Sequence, residues 1–196
     1  RARRHQLVAG RQHRDLRPVI NPSGPMTVIG DSCAHPAAIA AVADILPRFV
    51  WIDALQRLAS QTIARVCGAE AGVVTASSAA AVTLAIAATM TGLDRAAMAR
   101  LPDTTGLRNE VVILQGHLLN YCAPIDQGIR LAGARVRAVG QATSSTEFEL
   151  EAAFGPNVTA ALYVVSHHAA SYGMIPLSRF AAIARAHGVP VIVDGA

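Results

Sequence analysis

Polar side chains that could do chemistry follow four short apolar runs. They lie in the segments TASSA at residues 75–79, QGH at 115–117, SHH at 166–168 and DGA at 194–196. Hydroxyls, imidazoles and carboxylates bind phosphates, move protons and pair with cations. Because open parallel sheets bind ligands at the carboxyl ends of their strands, the sequence predicts that these segments share one site.

Ser77 and Ser78 precede a helical pattern over residues 79–91. Hydroxyls and free backbone amides at a helix start can bind a phosphate, which the helix dipole also favours. The Gly-Lys-Ser/Thr of a Walker loop and the glycines of a dinucleotide fingerprint are both missing here. The local sequence favours an ordinary helix cap, and a phosphate site formed by Ser77, Ser78 and Ala79 is the alternative that it leaves open.

Asp194 ends the apolar run VIV at residues 191–193. A carboxylate placed there is unfavourable unless something pairs with it. A protonated ring nitrogen, a metal ion or a helix start could be the partner.

Three histidines lie at the predicted edge. His117 could stack on a flat ring, act as acid and base, or face solvent in a loop. His167 and His168 are adjacent and would point to opposite faces of a strand, so one at most faces the site, and we favour His168. A zinc site formed by the three would lack a suitably spaced further ligand, so no metal is expected. A phosphate anchor, a flat-ring neighbour and a carboxylate together match pyridoxal phosphate better than a nucleotide.

The elements that position these residues alternate along the chain. The sequence predicts helices near residues 36–47 and 52–66, and then a strand at 73–75 that opens an alternation of strands and helices. The further predicted strands are 111–114, 135–139, 160–165 and 191–194, and the helices between them are 79–91, 124–132, 147–154 and 177–187. Continuous apolar strands with helical crossovers predict an α/β fold, a mostly parallel sheet with helices on both faces.

Composition agrees with that class. Hydrophobic residues make up 52% of the 196 residues and aromatic residues only 4%, which is typical of α/β layers. The uncharged stretch 71–93 could mimic a membrane span, but its many hydroxyls favour a buried helix. Three cysteines without metal-type spacing suggest reduced, buried residues of a cytoplasmic protein.

The net charge of +4 is concentrated in the first residues. Six arginines and one aspartate lie in residues 1–17, so a basic arm precedes a nearly neutral body. The arm could touch phosphates or be a solvated terminus. We predict an N-terminal arm with helices over residues 1–70 and the first part of a large cofactor-binding domain over 71–196.

Several segments resemble one enzyme family. They are RPVINPSG at residues 17–24 with GDS at 30–32, the stretch 55–85 with GAEA at 68–71, LPDTTGLRNE at 101–110 and HGVPVIVD at 187–194. Together they resemble the selenocysteine synthase-like branch of fold-type-I pyridoxal phosphate-dependent enzymes. That branch includes L-seryl-tRNA selenium transferases and D-glucosaminate-6-phosphate ammonia-lyases, and its fold is aspartate aminotransferase-like.

The resemblance implies roles for individual residues. Ser77, Ser78 and the following amides would hold the cofactor phosphate, although many members have Ser-Gly there. His117 would lie against the ring and Asp194 would pair with the ring nitrogen. Asn21, Ser23 and Gly24 would lie near the active-site mouth and the substrate.

The chain contains no lysine, whereas the family links its cofactor to one. The resemblance places that lysine after the Asp194 strand, so residues 1–196 alone are expected to be an inactive fragment. The full protein is expected to be a homo-oligomeric lyase that releases ammonia from a small amino acid or amino sugar acid. Selenium transfer on seryl-tRNA is the alternative within the family, with tRNA the less expected partner. A non-catalytic fragment that binds a phosphate or a partner protein is the alternative outside it.

Overall fold

The computed structural model describes residues 17–195. It divides into two compact units at Gln61 and Thr62. The predicted domain limit at residue 70 stays a prediction. The basic arm lies almost wholly outside the described residues, and so does Ala196.

The first unit is helical. A short 3-10 turn at Thr27–Ile29 precedes α1 (Pro36–Ile45), and α2 (Ile52–Cys67) begins in this unit. His35 caps α1 by accepting a hydrogen bond from the Ala37 amide at 3.2 Å, and Pro36 occupies the first turn, where no amide donor is needed. Both predicted helices are confirmed, and neither contributes a buried residue.

The second unit contains a parallel sheet of four strands. They are β1 (Glu110–Leu114), β2 (Arg135–Val139), β3 (Val158–Val165) and β4 (Val191–Gly195), in the spatial order β2-β1-β3-β4. All three pairings are parallel. The predicted α/β class and these four strands are confirmed.

Five helices surround the sheet. They are α3 (Ser78–Thr91), α4 (Arg95–Arg100), α5 (Ile125–Leu131), α6 (Glu147–Ala153) and α7 (Leu177–Ala186). Side chains of α3 and α5 pack on one face of the sheet, in an apolar cluster that includes Ile86 and Ile129. Those of α6 and α7 pack on the other face, in a cluster that includes Leu150 and Phe180. We refer to the two sides as the α3/α5 face and the α6/α7 face.

Two elements differ from the prediction. Residues 73–75 are not a strand and lie outside the four-stranded sheet, and Val73 is 69% exposed. Helix α4 was missed, although Asp94 is a typical capping residue and accepts hydrogen bonds from the Ala96 and Ala97 amides at 2.8 and 3.2 Å.

The cysteines also differ. Cys33, Cys67 and Cys122 are free, as expected, but all three are exposed. The expectation of burial is wrong because Cys67 ends a helix that buries nothing and Cys122 lies in a turn with a φ of +66°. Among the described residues, no helix is long and apolar enough to cross a membrane.

Candidate active site

The loops that follow β1, β2 and β3 converge at Gly116. A Cβ added to Gly116 would lie 2.2 Å from Cε of Met174 and 2.5 Å from the Ala142 carbonyl oxygen. Only glycine fits there without displacing backbone. The carboxyl ends of β1, β2 and β3 therefore meet at one packed edge.

His117 is built into this edge rather than exposed on it. It ends a 3-10 turn after β1 and is 1% exposed. Its Nδ1 accepts a hydrogen bond from the Val164 amide of β3 at 3.2 Å. Its ring packs against the Tyr163 ring in a T-shaped contact with centroids 4.4 Å apart. The imidazole thus accepts a hydrogen bond that a backbone carbonyl of β1 would accept if the strand continued.

The hydrogen bond at Nδ1 indicates which nitrogen of His117 carries the proton. Because Nδ1 accepts a hydrogen bond, the neutral ring carries its proton on Nε2. Burial lowers the pKa of His117, and a hydrogen bond with the Ala170 backbone opposes that shift in part. The geometry therefore favours a neutral ring that packs and orients over a group that exchanges protons.

We expect His117 to titrate below its usual pKa of 6.5 in the full-length protein. The unfolded state then takes up the proton first, so the stability contributed by the neutral ring is present above about pH 6.5 and is lost as the pH falls. Nitrogen-edited NMR of the imidazole, assigned with His117→Asn, measures this. A doubly protonated ring at pH 7 would contradict the assignment.

Asp194 points to the α3/α5 face. In parallel register, Ile192 pairs with Leu162 and Asp194 with Val164. Ile192 packs against the cluster of α3 and α5, and side chains two residues apart share a face. Asp194 is half-buried, and burial raises its pKa. Within residues 17–195 no hydrogen bond or ion pair reaches its carboxylate, so a cationic ligand would be stabilised there.

Helix α3 lies on the same face of the sheet as Asp194, because Ile86 of α3 and Ile192 of β4 belong to one apolar cluster. The Thr83 hydroxyl of α3 donates a hydrogen bond to the Gly128 carbonyl in the middle of α5 at 3.2 Å. Helix α5 follows β1 and precedes the parallel strand β2, so it starts at the carboxyl edge of the sheet. We expect α3 to start at the same edge, which would bring the positive end of its dipole to the face of Asp194.

The helix cap at Ser77 is confirmed as local structure. Ser77 has extended backbone, and its Oγ accepts a hydrogen bond from the Ala80 amide at 3.1 Å. Thr75 holds the turn by donating to the Ser77 carbonyl at 2.9 Å. Capping uses the oxygen as acceptor, so the hydroxyl proton stays available to an anion. The amides of Ser78 and Ala79 belong to the first turn, where no acceptor exists within the helix.

The two adjacent histidines do not point apart. β3 ends at Val165, so His167 and His168 lie in a turn, with ring centroids 3.8 Å apart. The expectation of opposite faces is wrong because it assumed that the strand continues. His168 remains the histidine with a neighbour at the site, since its ring meets the Tyr121 ring at 5.6 Å.

Comparison with known proteins finds relatives that match nearly the whole chain. No family model matches the chain. A D-glucosaminate-6-phosphate ammonia lyase from Salmonella typhimurium is 40% identical over 185 residues, which is 94% of this chain and 50% of that protein. A solved structure of a D-glucosaminate-6-phosphate ammonia-lyase superposes with a TM-score of 0.87, 40% identity and coverage of 91% of this chain and 48% of that one.

The chain is homologous to these ammonia-lyases. A 5′-C-glycyluridine monooxygenase-decarboxylase from Streptomyces is 33% identical over 94% of this chain and 47% of that protein. An L-seryl-tRNA(Sec) selenium transferase from Nitratidesulfovibrio vulgaris is 29% identical over 96% of this chain and 40% of that protein. The resemblance to the selenocysteine synthase-like branch of pyridoxal phosphate-dependent enzymes is confirmed. The chain spans about half the length of these relatives.

Two tyrosines near the carboxyl edge of the sheet were not predicted from the sequence. Tyr163 lies in β3 and resembles any core residue of an apolar run, yet its hydroxyl donates to the Ile175 carbonyl at 3.1 Å and its ring supports His117. Tyr121 lies in the loop after β1, and its short spacing from His117 was the available signal.

The predicted substrate residues lie in the first unit. Asn21 forms a local turn, in which its Nδ2 donates to the Gly24 carbonyl at 2.5 Å and its Oδ1 accepts from the Ser23 amide at 3.0 Å. All three residues are exposed. Their role toward substrate stays a prediction.

Proposed function

We propose that the full-length protein is a pyridoxal phosphate-dependent ammonia-lyase acting on a small amino acid or amino sugar acid. The observation that carries the proposal is the half-buried carboxylate of Asp194, which shares one face of the sheet with α3. The Asp194 carboxylate would bind a cation, and the amino end of α3 would bind an anion. Together they fit a ligand that bears a protonated ring nitrogen and a phosphate.

The residues of this chain fit the cofactor. Ser77 and Ser78 offer hydroxyl donors, and the first-turn amides of α3 would add to them at the phosphate. Asp194 offers a carboxylate whose desolvation is offset only when a cation binds it. His117 offers a buried neutral ring with a fixed orientation. Asp194, His117, Ser77, Ser78 and Ala79 are therefore our proposed cofactor-binding residues, with His168 beside them.

When bound, pyridoxal phosphate supplies an electron sink that weakens the bonds at the substrate α-carbon. Asp194 would accept a hydrogen bond from the ring nitrogen and hold the proton on it. The start of α3 would bind the phosphate and so orient the pyridine ring of the cofactor. His117, held by the Val164 amide, would keep water from the adjacent space.

The reaction type is proposed from similarity and chemistry together. Identity to the ammonia-lyase is 40% and to the selenium transferase 29%, over nearly the whole chain in both cases. We therefore propose elimination with release of ammonia from a small substrate rather than selenium transfer on tRNA.

The direct test is ammonia release by the full-length protein. We expect ammonia from D-glucosaminate 6-phosphate, or from related amino sugar acids, only when pyridoxal phosphate is supplied. Serine and seryl-tRNA serve as comparison substrates. Release of no ammonia from any small amine, together with selenide-dependent reaction of seryl-tRNA, would overturn the proposal.

Asp194 also predicts a stability effect in the cofactor-free protein. Burial raises its pKa above the usual 3.8, so the stability linked to its protonated form is present below that pH and is lost as the pH rises. Asp194→Asn should therefore raise the melting temperature of cofactor-free protein at neutral pH, and the difference should vanish near pH 4. Thermal scans across that range measure it, and a destabilised variant at pH 7 would contradict the burial argument.

A further inference from the structure

The Tyr121 hydroxyl is buried, and it has no hydrogen-bond partner among residues 17–195. Buried polar atoms in native proteins are nearly always paired, so such a hydroxyl calls for an explanation. The Tyr163 hydroxyl, by contrast, donates to the Ile175 carbonyl. Among residues 17–195, the fold therefore provides a hydrogen-bond partner for the Tyr163 hydroxyl but not for the Tyr121 hydroxyl.

Tyr121 lies at the candidate site. It belongs to the loop between β1 and α5, which is closed by a hydrogen bond from the Ile125 amide to the Leu119 carbonyl at 3.0 Å. Its ring packs against the apolar cluster of the α3/α5 face, to which Ile192 also belongs. Asp194 and α3 are on that same face, and the loop follows the carboxyl end of β1, so the hydroxyl shares the surroundings of the proposed cofactor.

A second buried hydroxyl, that of Thr159, also has no partner within the described part of the chain. Thr159 is the second residue of β3, at the amino end of the strand. It is therefore remote from the carboxyl edge. Among the described residues, only Tyr121 combines the missing partner with a place at the site.

We propose that the Tyr121 hydroxyl donates a hydrogen bond to an oxygen of the bound cofactor, either on the phosphate or on the ring. This inference rests on the proposed function, because it takes pyridoxal phosphate as the ligand. Binding would then satisfy the phenol at the same time as the Asp194 carboxylate. Tyr121 would thus be a cofactor-binding residue contributed by the loop after β1.

The test compares Tyr121→Phe with Tyr163→Phe in the full-length protein. Without cofactor, Tyr121→Phe should keep or raise the melting temperature, because it removes a hydroxyl that gains nothing from the fold. Tyr163→Phe should lower it, because the Ile175 carbonyl loses its donor. With pyridoxal phosphate, Tyr121→Phe should raise the dissociation constant about 10-fold.

Pyridoxal without phosphate identifies the oxygen. If the affinity loss of Tyr121→Phe disappears with pyridoxal, the hydroxyl contacts the phosphate, and if the loss persists, it contacts the ring. Either result supports the proposal. Unchanged affinity of Tyr121→Phe for pyridoxal phosphate would overturn it, and so would a loss of cofactor-free stability like that of Tyr163→Phe, which would place the partner within the protein. Wild-type protein that binds no pyridoxal phosphate would instead refute the proposed function itself.

Discussion

Replacement of Asp194 by alanine is expected to lower turnover of the full-length protein by about 30- to 1000-fold while leaving the cofactor bound. The carboxylate is half-buried at the end of β4, and burial already raises its pKa. Without it, nothing described in this chain would hold the proton on the ring nitrogen, and the electron sink would weaken. Steady-state rates and the absorbance of bound cofactor measure the two effects separately.

A matched control is available on α5. Asp126 pairs with Arg130 at 2.7 Å on an exposed surface, so Asp126→Ala should leave turnover and cofactor absorbance unchanged. Near-normal turnover of Asp194→Ala would show that the carboxylate does not serve the ring nitrogen. Loss of the cofactor itself would show that Asp194 acts in binding more than in chemistry.

Removal of both hydroxyls at the start of α3 is expected to weaken cofactor binding strongly. Two charge-assisted hydrogen bonds contribute about 3–6 kcal/mol, lessened by the backbone amides that remain. The two serines have different structural roles, because Ser77 also caps the helix. Ser78→Ala should therefore reduce affinity alone, whereas Ser77→Ala should also reduce stability, by about 1 kcal/mol. Cofactor titration and thermal unfolding of each single variant and of the double variant test this.

Thr146→Ala controls for the loss of a cap. Thr146 and Glu149 form a capping box at the start of α6, on the other face of the sheet. Loss of the Thr146 hydroxyl should reduce the stability of the protein without changing its affinity for the cofactor. If the double serine variant behaves like Thr146→Ala, the hydroxyls are caps and nothing more.

Much of the fold follows from sequence periodicity. The apolar runs at β1, β3 and β4 are continuous, which marks strands covered on both faces, and the intervening helices begin and end near typical signals. The prediction failed where an element depends on neighbours rather than on its own pattern. Residues 73–75 have a strand-like composition, but they lie outside the four-stranded sheet.

The sequence predicts which residues lie at the site, but it does not predict the contacts between them. Topology brings His117 and Asp194 to one edge, since the carboxyl ends of parallel strands meet there, whereas Ser77 follows a segment that is not a strand. The hydrogen bond from the Val164 amide to His117 depends on where β1 leaves the sheet, which no residue pattern encodes. The turn at His167 and His168 and the burial of the Tyr121 hydroxyl likewise depend on loop packing.

We propose that this edge of the sheet holds pyridoxal phosphate, with its ring nitrogen hydrogen-bonded to Asp194. A crystal structure of the full-length protein with the cofactor tests it most directly. We expect the phosphate at the first turn of α3, the ring beside His117 and the ring nitrogen about 2.7–2.9 Å from the Asp194 carboxylate. A phosphate bound elsewhere, or a ring nitrogen facing solvent or another side chain, would contradict the account.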